Sequence, residues 1–288
     1  MRRAGFLAAL AALLSGCSAA TALDALVARD TYSGKQGVSY GPHPRQQLDV
    51  FTPLAPAAGQ RPPLIVFFYG GSWTRGDRAD YRFVGEALAA HGAVAVLADY
   101  RLSPQVRYPD FLVDCAQAVR WAFDQAQALG ADPARIFLMG HSAGAYNAAM
   151  LALDPRWLAG VGLAPTQLAG WIGLSGPYDF LPIVNPEAQV AFNWPATLPD
   201  TQPMAHVTAR APRTLLLAAT RDDLVNPQRS TVGLGQKLKA DGVPVQVKLV
   251  DNVSHVTILV SVARPLNWLS PVLADVLAFV GLPPKPQG

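Results

Sequence analysis

The stretch 138-LMGHSAGAYN-147 places one serine, Ser142, between two glycines, Gly140 and Gly144. An apolar run precedes this stretch, and a run of small residues follows it as far as Leu153. The first run is typical of a buried strand and the second of a helix. A serine in a Gly-x-Ser-x-Gly turn between a strand and a helix lies in strained backbone geometry, with the helix N-terminus behind its hydroxyl group. The pattern therefore predicts a nucleophilic serine.

Elsewhere in the chain, apolar runs alternate with helical patterns. Strands that are apolar throughout, such as residues 64–68 and 93–98, are typical of a parallel sheet that is buried on both faces. The predicted fold class is therefore α/β, with a mostly parallel central sheet, helices on both faces, and chemistry at the carboxyl ends of the strands. Strands are predicted at residues 47–51, 64–68, 93–98, 136–139, 171–174, 214–219 and 245–250, and helices at 81–90, 108–129, 143–153 and 265–280.

The composition predicts a large packed core. The chain has 288 residues, of which 51% are hydrophobic and 15% charged, with a formal net charge of +3. These values exclude a disordered polyelectrolyte, and the dispersed positive charges do not favour nucleic-acid binding. Only two cysteines are present, Cys17 and Cys115, and no His, Asp and Cys cluster has the spacing of metal ligands. We therefore expect no metal or organic cofactor, and we expect Cys115 to be a buried free thiol.

The N-terminus has the pattern of an export signal. Two arginines follow Met1, and residues 4–14 form an apolar segment too short to span a bilayer. The next residues, Leu14-Ser-Gly-Cys17, resemble the lipobox of bacterial lipoproteins. This resemblance implies cleavage before Cys17, lipid attachment to Cys17, and anchoring to a bacterial membrane after export, in the outer membrane or facing the periplasm. An ordinary signal peptide is the alternative.

These patterns divide the chain into a leader and one domain. We predict a lipoprotein signal peptide at residues 1–16, a tether at 17–33 and a single domain at 34–288. Within the domain, prolines interrupt any long helix between residues 182 and 212. This irregular segment is predicted to form a small lid.

A serine nucleophile needs a base and an acid. After a Gly-x-Ser-x-Gly turn, the three residues follow in the order Ser, acid, His. Only two histidines follow Ser142, and His206 precedes the best acid candidates, so the order favours His255. The acid is expected after the strand at 214–219, where Asp222 and Asp223 compete. Asp179, which follows an earlier strand, is a third candidate with an expected structural role.

A glycine-rich loop follows the strand at residues 64–68. Its sequence is 69-YGGSW-73. Glycines allow backbone N–H groups to point into a site, where they stabilise negative charge on an oxygen. The loop therefore predicts an oxyanion hole. Four aromatic residues are candidates for the lining of a substrate pocket, namely Trp73, Tyr178, Phe192 and Trp194.

Taken together, these motifs resemble the α/β-hydrolase superfamily. More narrowly, they resemble bacterial carboxylesterases of the group that includes hormone-sensitive-lipase-like esterases and kynurenine-formamidase-like enzymes. The resemblance covers most of the chain, in the expected order. The matching pieces are residues 45–50, 69–73, 99–102, 132–136, 140–144, 175–179 and 222–225, with Pro104, Tyr108, Pro109, Asp114 and His255.

The resemblance implies an α/β-hydrolase fold and hydrolysis of carboxylic esters, without a metal or an organic cofactor. The Asp-x-x-Val motif of such hydrolases aligns Asp222 with the acid. Their His-Gly-Gly-x-Trp loop implies that the oxyanion donors are the backbone N–H groups of Gly71 or Ser72, with that of Ala143. In this sequence Tyr69 replaces the histidine that usually braces the loop.

The sequence thus predicts a serine hydrolase that cleaves small carboxylic esters through an acyl-enzyme, with Ser142, His255 and Asp222 as its triad. An arylformamidase or another amidase on the same triad is the alternative within enzymes. A lipase acting on insoluble fats is a further alternative, which interfacial activation would distinguish. A non-catalytic binding protein on the same scaffold is the alternative of another class.

Overall fold

The computed structural model describes Leu23, residues 27–54 and residues 61–282. The predicted signal peptide, its cleavage site and Cys17 lie outside these residues. Leu23, within the predicted tether, is buried in the core of the domain, and the first strand already begins at Tyr32.

The described residues form an eight-stranded sheet with the order β1-β2-β4-β3-β5-β6-β7-β8. The pairs β1–β2 and β2–β4 are antiparallel, and the other neighbouring pairs are parallel. The seven predicted strands are confirmed, three of them with their predicted ends, and the mostly parallel sheet is confirmed with them. The strands are β1 (Tyr32–Ser39), β2 (Gln47–Pro53), β3 (Leu64–Phe68), β4 (Val94–Ala98), β5 (Ile136–His141), β6 (Gly170–Leu174), β7 (Thr214–Ala219) and β8 (Val245–Val250).

Helices connect the strands and cover the sheet. The α-helices are α1 (Arg82–Ala90), α2 (Asp110–Gln125), α3 (Ala143–Leu153), α4 (Pro155–Ala159), α5 (Pro186–Ala191), α6 (Gly233–Ala240), α7 (Thr257–Val260) and α8 (Val272–Phe279). Shorter 3₁₀ segments lie at Arg78–Tyr81, Pro165–Gln167, Pro199–Thr201, Pro203–His206 and Arg264–Leu269, and a π-helical turn lies at Gln228–Val232. Every residue of β3, β4, β5, β6 and β7 is buried, so the chain covers both faces of the central sheet. No helix within the described part of the chain has the length and apolar character needed to cross a membrane.

Two helix predictions need correction. The single helix predicted at 265–280 is wrong, because Ser270 is fully extended (φ −162°, ψ 162°) and separates the 3₁₀ segment from α8. The proline at 271 explains this break, since a residue that precedes proline avoids the helical region. The helix predicted at 108–129 spans only α2, and Val113 on this helix is 38% exposed. Cys115, two residues further on, is a buried free thiol, as predicted.

The sheet topology brings several loops together at one edge. The strand that follows β3 in the chain, β4, lies on one side of β3, and the next strand, β5, lies on its other side. The strand order therefore reverses between β3 and β5, which is the switch point of the sheet. Loops that leave a switch point diverge and open a crevice at the carboxyl ends of the strands. The register places Phe68 beside Gly140, and Gly140 beside Gly173, so that β3, β5 and β6 end at the same level.

The segment predicted as a lid packs beside this edge. Its Phe192 side chain is buried, with ring centroids 4.7 Å from Trp73 and 5.3 Å from Tyr146. The Tyr146 hydroxyl group on α3 donates a 2.7 Å hydrogen bond to the carbonyl oxygen of Thr201. The segment is therefore docked on α3 and on Trp73, and its role as a lid stays a prediction.

Candidate active site

The serine turn has the geometry of a strained elbow. Ser142 joins β5 to α3 with φ 54° and ψ −122°, a conformation uncommon outside glycine. A Cβ atom on Gly140 would lie 2.1 Å from the carbonyl oxygen of Gly144, and one on Gly144 would lie 2.0 Å from that of Phe68. The two glycines therefore permit a close approach of α3 to β5 and β3 that any side chain would prevent.

Three predicted residues meet at this turn. The Ser142 Oγ lies 2.9 Å from Nε2 of His255. The other ring nitrogen, Nδ1, lies 2.8 Å from Oδ2 and 3.0 Å from Oδ1 of Asp222. The His255 side chain is 5% exposed and the Asp222 side chain is fully buried. The hydroxyl, imidazole and carboxylate thus form a continuous hydrogen-bonded chain that is shielded from solvent.

The environment of Asp222 favours its charged form. Its Oδ1 accepts hydrogen bonds from the backbone N–H groups of Leu224 (3.0 Å) and Val225 (2.9 Å). Burial acts to raise the pKa of this carboxyl group, but the hydrogen bond and the charge of His255 and the N–H of Val225 lower it. The net result is a pKa below the ordinary value of an aspartate. Asp222 is therefore ionised at neutral pH.

The other polar candidates lie elsewhere. Asp223 is exposed. Asp179 binds Arg229 through two hydrogen bonds of 2.8 and 2.9 Å, which is the structural role expected for it. His206 contacts the carbonyl oxygen of Asp200 at 2.6 Å. Within residues 27–54 and 61–282, no group of three or more His, Cys, Asp and Glu side chains is arranged to hold a metal ion.

The predicted oxyanion loop lies directly against the serine. A Cβ atom on Gly70 would be 2.9 Å from the Cβ of Ser142. Gly71 (φ 124°) and Ser72 (φ 50°) both have positive φ, which turns the backbone after β3 towards the serine elbow. In the described part of the chain, the N–H groups of Gly71, Ser72 and Ala143 donate no hydrogen bond to another backbone group. The prediction of these groups as oxyanion donors is consistent with this lack of backbone partners.

Tyr69 braces this loop in place of the usual histidine. Its hydroxyl group donates a 2.7 Å hydrogen bond to Oδ1 of Asp99 and accepts one of 2.6 Å from Arg45. The hydroxyl group of Tyr100 donates a 2.9 Å hydrogen bond to the carbonyl oxygen of Tyr69. These hydrogen bonds fix both the side chain and the backbone of Tyr69, so the oxyanion loop begins at a rigid residue.

Of the four aromatic candidates for a pocket lining, three are core residues. Trp73, Tyr178 and Phe192 are buried, and the Trp73 Nε1–H donates a 3.0 Å hydrogen bond to Oδ1 of Asn147. Trp194 is 36% exposed. Phe192 packs against Trp73, which itself belongs to the oxyanion loop, whereas Tyr178 packs against Trp171.

Sequence reasoning missed one residue of the site, His141. It lies between Gly140 and Ser142, and its Nε2 is 2.7 Å from the carbonyl oxygen of His255. The two imidazole rings are 5.0 Å apart between centroids. Burial, together with the nearby His255, lowers the pKa of His141 to about 3. The ring is therefore neutral, and it donates from Nε2 to the backbone of the residue that contacts Ser142.

Relatives of this chain are named as esterases. The probable isoprenylcysteine alpha-carbonyl methylesterase ICMEL2 of Arabidopsis thaliana is 32% identical over 155 residues, which cover 52% of this chain and 36% of that protein. The probable carboxylic ester hydrolase LipM of Mycobacterium tuberculosis is 29% identical over 269 residues, covering 86% of this chain and 62% of that protein. The chain thus spans 36% of the length of the first relative and 62% of the second.

Solved structures share the fold. The apo form of Thermogutta terrifontis esterase 2 superposes with a TM-score of 0.70 at 24% identity, covering 90% of this chain and 98% of that chain. This likeness identifies the architecture as the α/β-hydrolase fold and confirms the predicted fold class. Residues 48–238, more than half of the chain, match the BD-FAE family, and they include the oxyanion loop, the serine elbow and Asp222. The chain belongs to the BD-FAE family.

Proposed function

We propose that this protein is a serine carboxylesterase that hydrolyses small carboxylic esters through an acyl-enzyme. The observation that carries the proposal is the unbroken relay from the Ser142 Oγ through His255 to Asp222, with contacts of 2.9 and 2.8 Å. A hydroxyl group is a weak nucleophile until a base accepts its proton, and this relay supplies the base. The names of the relatives, which include a methylesterase and a carboxylic ester hydrolase, support an ester as the substrate.

The acylation step uses the nucleophile, the base and the oxyanion donors together. As the Ser142 Oγ attacks the carbonyl carbon of the ester, Nε2 of His255 accepts the hydroxyl proton. The carbonyl oxygen becomes negatively charged and accepts hydrogen bonds from the N–H of Ala143 and from that of Gly71 or Ser72. When the tetrahedral intermediate collapses, His255 returns its proton to the alkoxide, and the alcohol leaves. An ester between Ser142 and the acyl group remains.

Deacylation repeats the same steps with water as the nucleophile. His255 accepts a proton from water, the resulting hydroxide adds to the acyl carbonyl, and the Ser142 oxygen leaves with that proton as the acid is released. The ionised Asp222 stabilises His255 each time the imidazole becomes positively charged. The lowered pKa of Asp222 supports this role, since a protonated carboxyl group would supply no such stabilisation.

A panel of esters tests the proposal. Purified protein is assayed on p-nitrophenyl esters from acetate to palmitate, beside Ser142→Ala, with N-formylkynurenine in parallel. We expect ester turnover that disappears in Ser142→Ala, since the triad supplies several powers of ten in rate. Turnover of the formamide alone would replace the esterase by an arylformamidase. Equal inactivity of wild type and variant on all substrates would contradict the proposal.

We also propose that Cys17 carries a lipid that anchors the protein to a membrane after export. The support is the sequence Leu14-Ser-Gly-Cys17, which follows an apolar segment. Both lie outside the residues that the structure describes. Cells that express the full chain or Cys17→Ser are grown with an alkyne analogue of palmitate and fractionated. We expect label and membrane retention in the full chain only. Equal labelling of both proteins, or label in neither, would contradict the anchor.

A further inference from the structure

We propose that His141 is a positioning residue, which fixes the backbone of the catalytic histidine relative to the nucleophile. This inference rests on the proposed function, in which His255 is the base. The Nε2–H of His141 donates to the carbonyl oxygen of His255 at 2.7 Å, between residues 114 positions apart in the chain. Because His141 directly precedes Ser142, one hydrogen bond joins the nucleophile's own strand to the backbone of the base.

The two ends of this hydrogen bond differ in rigidity. His141 is the last residue of β5, whose six residues are all buried between β3 and β6. His255 lies in a loop after β8, a strand at one edge of the sheet, three of whose six residues are exposed. Segments with few buried contacts open more easily than core strands. The bond therefore holds the less constrained loop of His255 in a fixed position relative to a core strand.

Among the described residues, the other side-chain hydrogen bonds around His255 do not hold its backbone against the centre of the sheet. Ser142 and Asp222 contact only the imidazole side chain of His255. Ser254 and Thr257 bind each other through N–H and hydroxyl groups, at 2.7 to 3.2 Å, and so shape the loop internally. Neither set attaches the backbone of the loop to the centre of the sheet, whereas His141 does.

The protonation state of His141 suits this role. Burial and the nearby His255 lower its pKa to about 3, so the ring stays neutral at working pH. Its two titratable neighbours in the site are His255 and Asp222. The ring centroids of the two histidines are 5.0 Å apart, and a second positive charge at that distance would oppose protonation of the base. A neutral donor holds the loop without that penalty.

The opposite edge of the ring lies against the oxyanion loop. A Cβ atom on Gly70 would be 3.1 Å from Nδ1 of His141 and also 3.1 Å from its carbonyl oxygen. The imidazole therefore fills the space between the loop that carries the oxyanion donors and the loop that carries the base. A shift of this ring would misplace both relative to Ser142.

Three variants separate positioning from a merely structural role. A glutamine side chain places an amide N–H near the position of Nε2, whereas asparagine is too short to reach it and leucine has no donor. We expect His141→Leu and His141→Asn to lower kcat by about 100-fold with KM changed by less than about 3-fold, as a misplacement near 1 Å does. His141→Gln should recover most of the lost kcat. Thermal unfolding of each variant is recorded, and kcat is expressed per active site titrated by the burst of p-nitrophenol.

The outcomes distinguish this inference from the proposed function. If His141→Asn and His141→Gln have the kcat of wild type while Ser142→Ala is inactive, the positioning role is wrong and the triad stands. If activity per milligram falls in all His141 variants in proportion to their unfolded fraction while kcat per titrated site stays that of wild type, the role is structural and the inference is overturned. If Ser142→Ala keeps wild-type turnover, the proposed function itself fails. Should His141→Leu not fold, the asparagine and glutamine pair carries the test alone.

Discussion

At the scale of single residues, the glycines of the serine turn are a steric requirement. A methyl group on Gly140 would meet the backbone of Gly144 at 2.1 Å, which no side-chain rotation relieves. On Gly160, at the end of α4, the nearest atom to such a methyl group is 3.4 Å away. We expect Gly140→Ala to lower the free energy of unfolding by about 3 kcal/mol or more, and Gly160→Ala by less than about 0.5 kcal/mol. Urea unfolding of both variants checks this, and equal stability would contradict the packing described here.

The two adjacent aspartates provide a matched pair for the acid. Asp222 contacts His255, whereas Asp223 is exposed. Removing the charge of the acid in a triad of this kind lowers kcat by about 10⁴-fold, because the imidazole loses its orientation and its counter-charge. We expect that loss for Asp222→Asn and a change of less than about 2-fold for Asp223→Asn, which leaves the triad intact. Steady-state kinetics on p-nitrophenyl acetate measure both, and a larger loss in Asp223→Asn would reassign the acid.

The buried neutral His141 also makes stability depend on pH. Its pKa of about 3 lies below that of an unfolded histidine. As the pH falls below about 6.5, the unfolded chain therefore binds a proton that the folded chain does not, and folding loses stability. Between pH 6.5 and 5 this amounts to about 2 kcal/mol. We expect the free energy of unfolding of wild type to fall more steeply over this range than that of His141→Gln, by urea titration at each pH. Parallel curves would contradict a neutral His141.

Site residues could be predicted from the sequence where a local motif or a fixed order along the chain marks them. The turn around Ser142 is contiguous, and the order of serine, acid and histidine selects His255, so both could be found without a structure. The choice between Asp222 and Asp223 needed a family resemblance, because neighbouring residues point in different directions after a strand. His141 escaped notice because its partner is 114 residues away, and no local pattern records such a contact. Its place inside the serine turn was the only available signal.

At the scale of elements, the strands buried on both faces were predicted, as was β8 at one edge of the sheet, but β1 at the other edge was not. β3 and β4 are apolar throughout, which marks them as core strands. β1 was missed because its sequence, YSGKQGVS, is polar and lies exposed at the edge of the sheet, where packing imposes no alternation. In α2, Val113 is 38% exposed, whereas Leu112 beside it is buried.

The burial of residues on α2 is open to test with two identical substitutions. Val119 is fully buried in the core, and Val113 on the same helix is 38% exposed. Val119→Ala removes two buried methyl groups and leaves a cavity, so we expect a loss of about 2 kcal/mol in the free energy of unfolding. For Val113→Ala we expect a change of less than about 0.5 kcal/mol, because exposed sites contribute little packing. Urea denaturation measures the difference, and equal losses would mean that both side chains are buried.

At the scale of the whole molecule, the sheet order explains why distant motifs form one site. The oxyanion loop, the serine turn, Asp222 and His255 follow β3, β5, β7 and β8, and parallel strands bring their carboxyl ends to one edge. The alternation of apolar strands with helices was sufficient to predict this class of fold. The lid and the membrane anchor have no such signal in the packing, and they stay predictions that depend on residues 182–212 and on Cys17.

The most direct test of the account is the identity of the nucleophile. A p-nitrophenyl phosphonate ester reacts with an activated serine and stays bound, so the modified peptide can be located by tandem mass spectrometry. We predict about one adduct per chain, on the peptide that contains Ser142, formed in parallel with the loss of esterase activity and strongly slowed in Asp222→Asn. An adduct on another residue, or ester turnover that persists in a fully labelled protein, would contradict the assignment of Ser142.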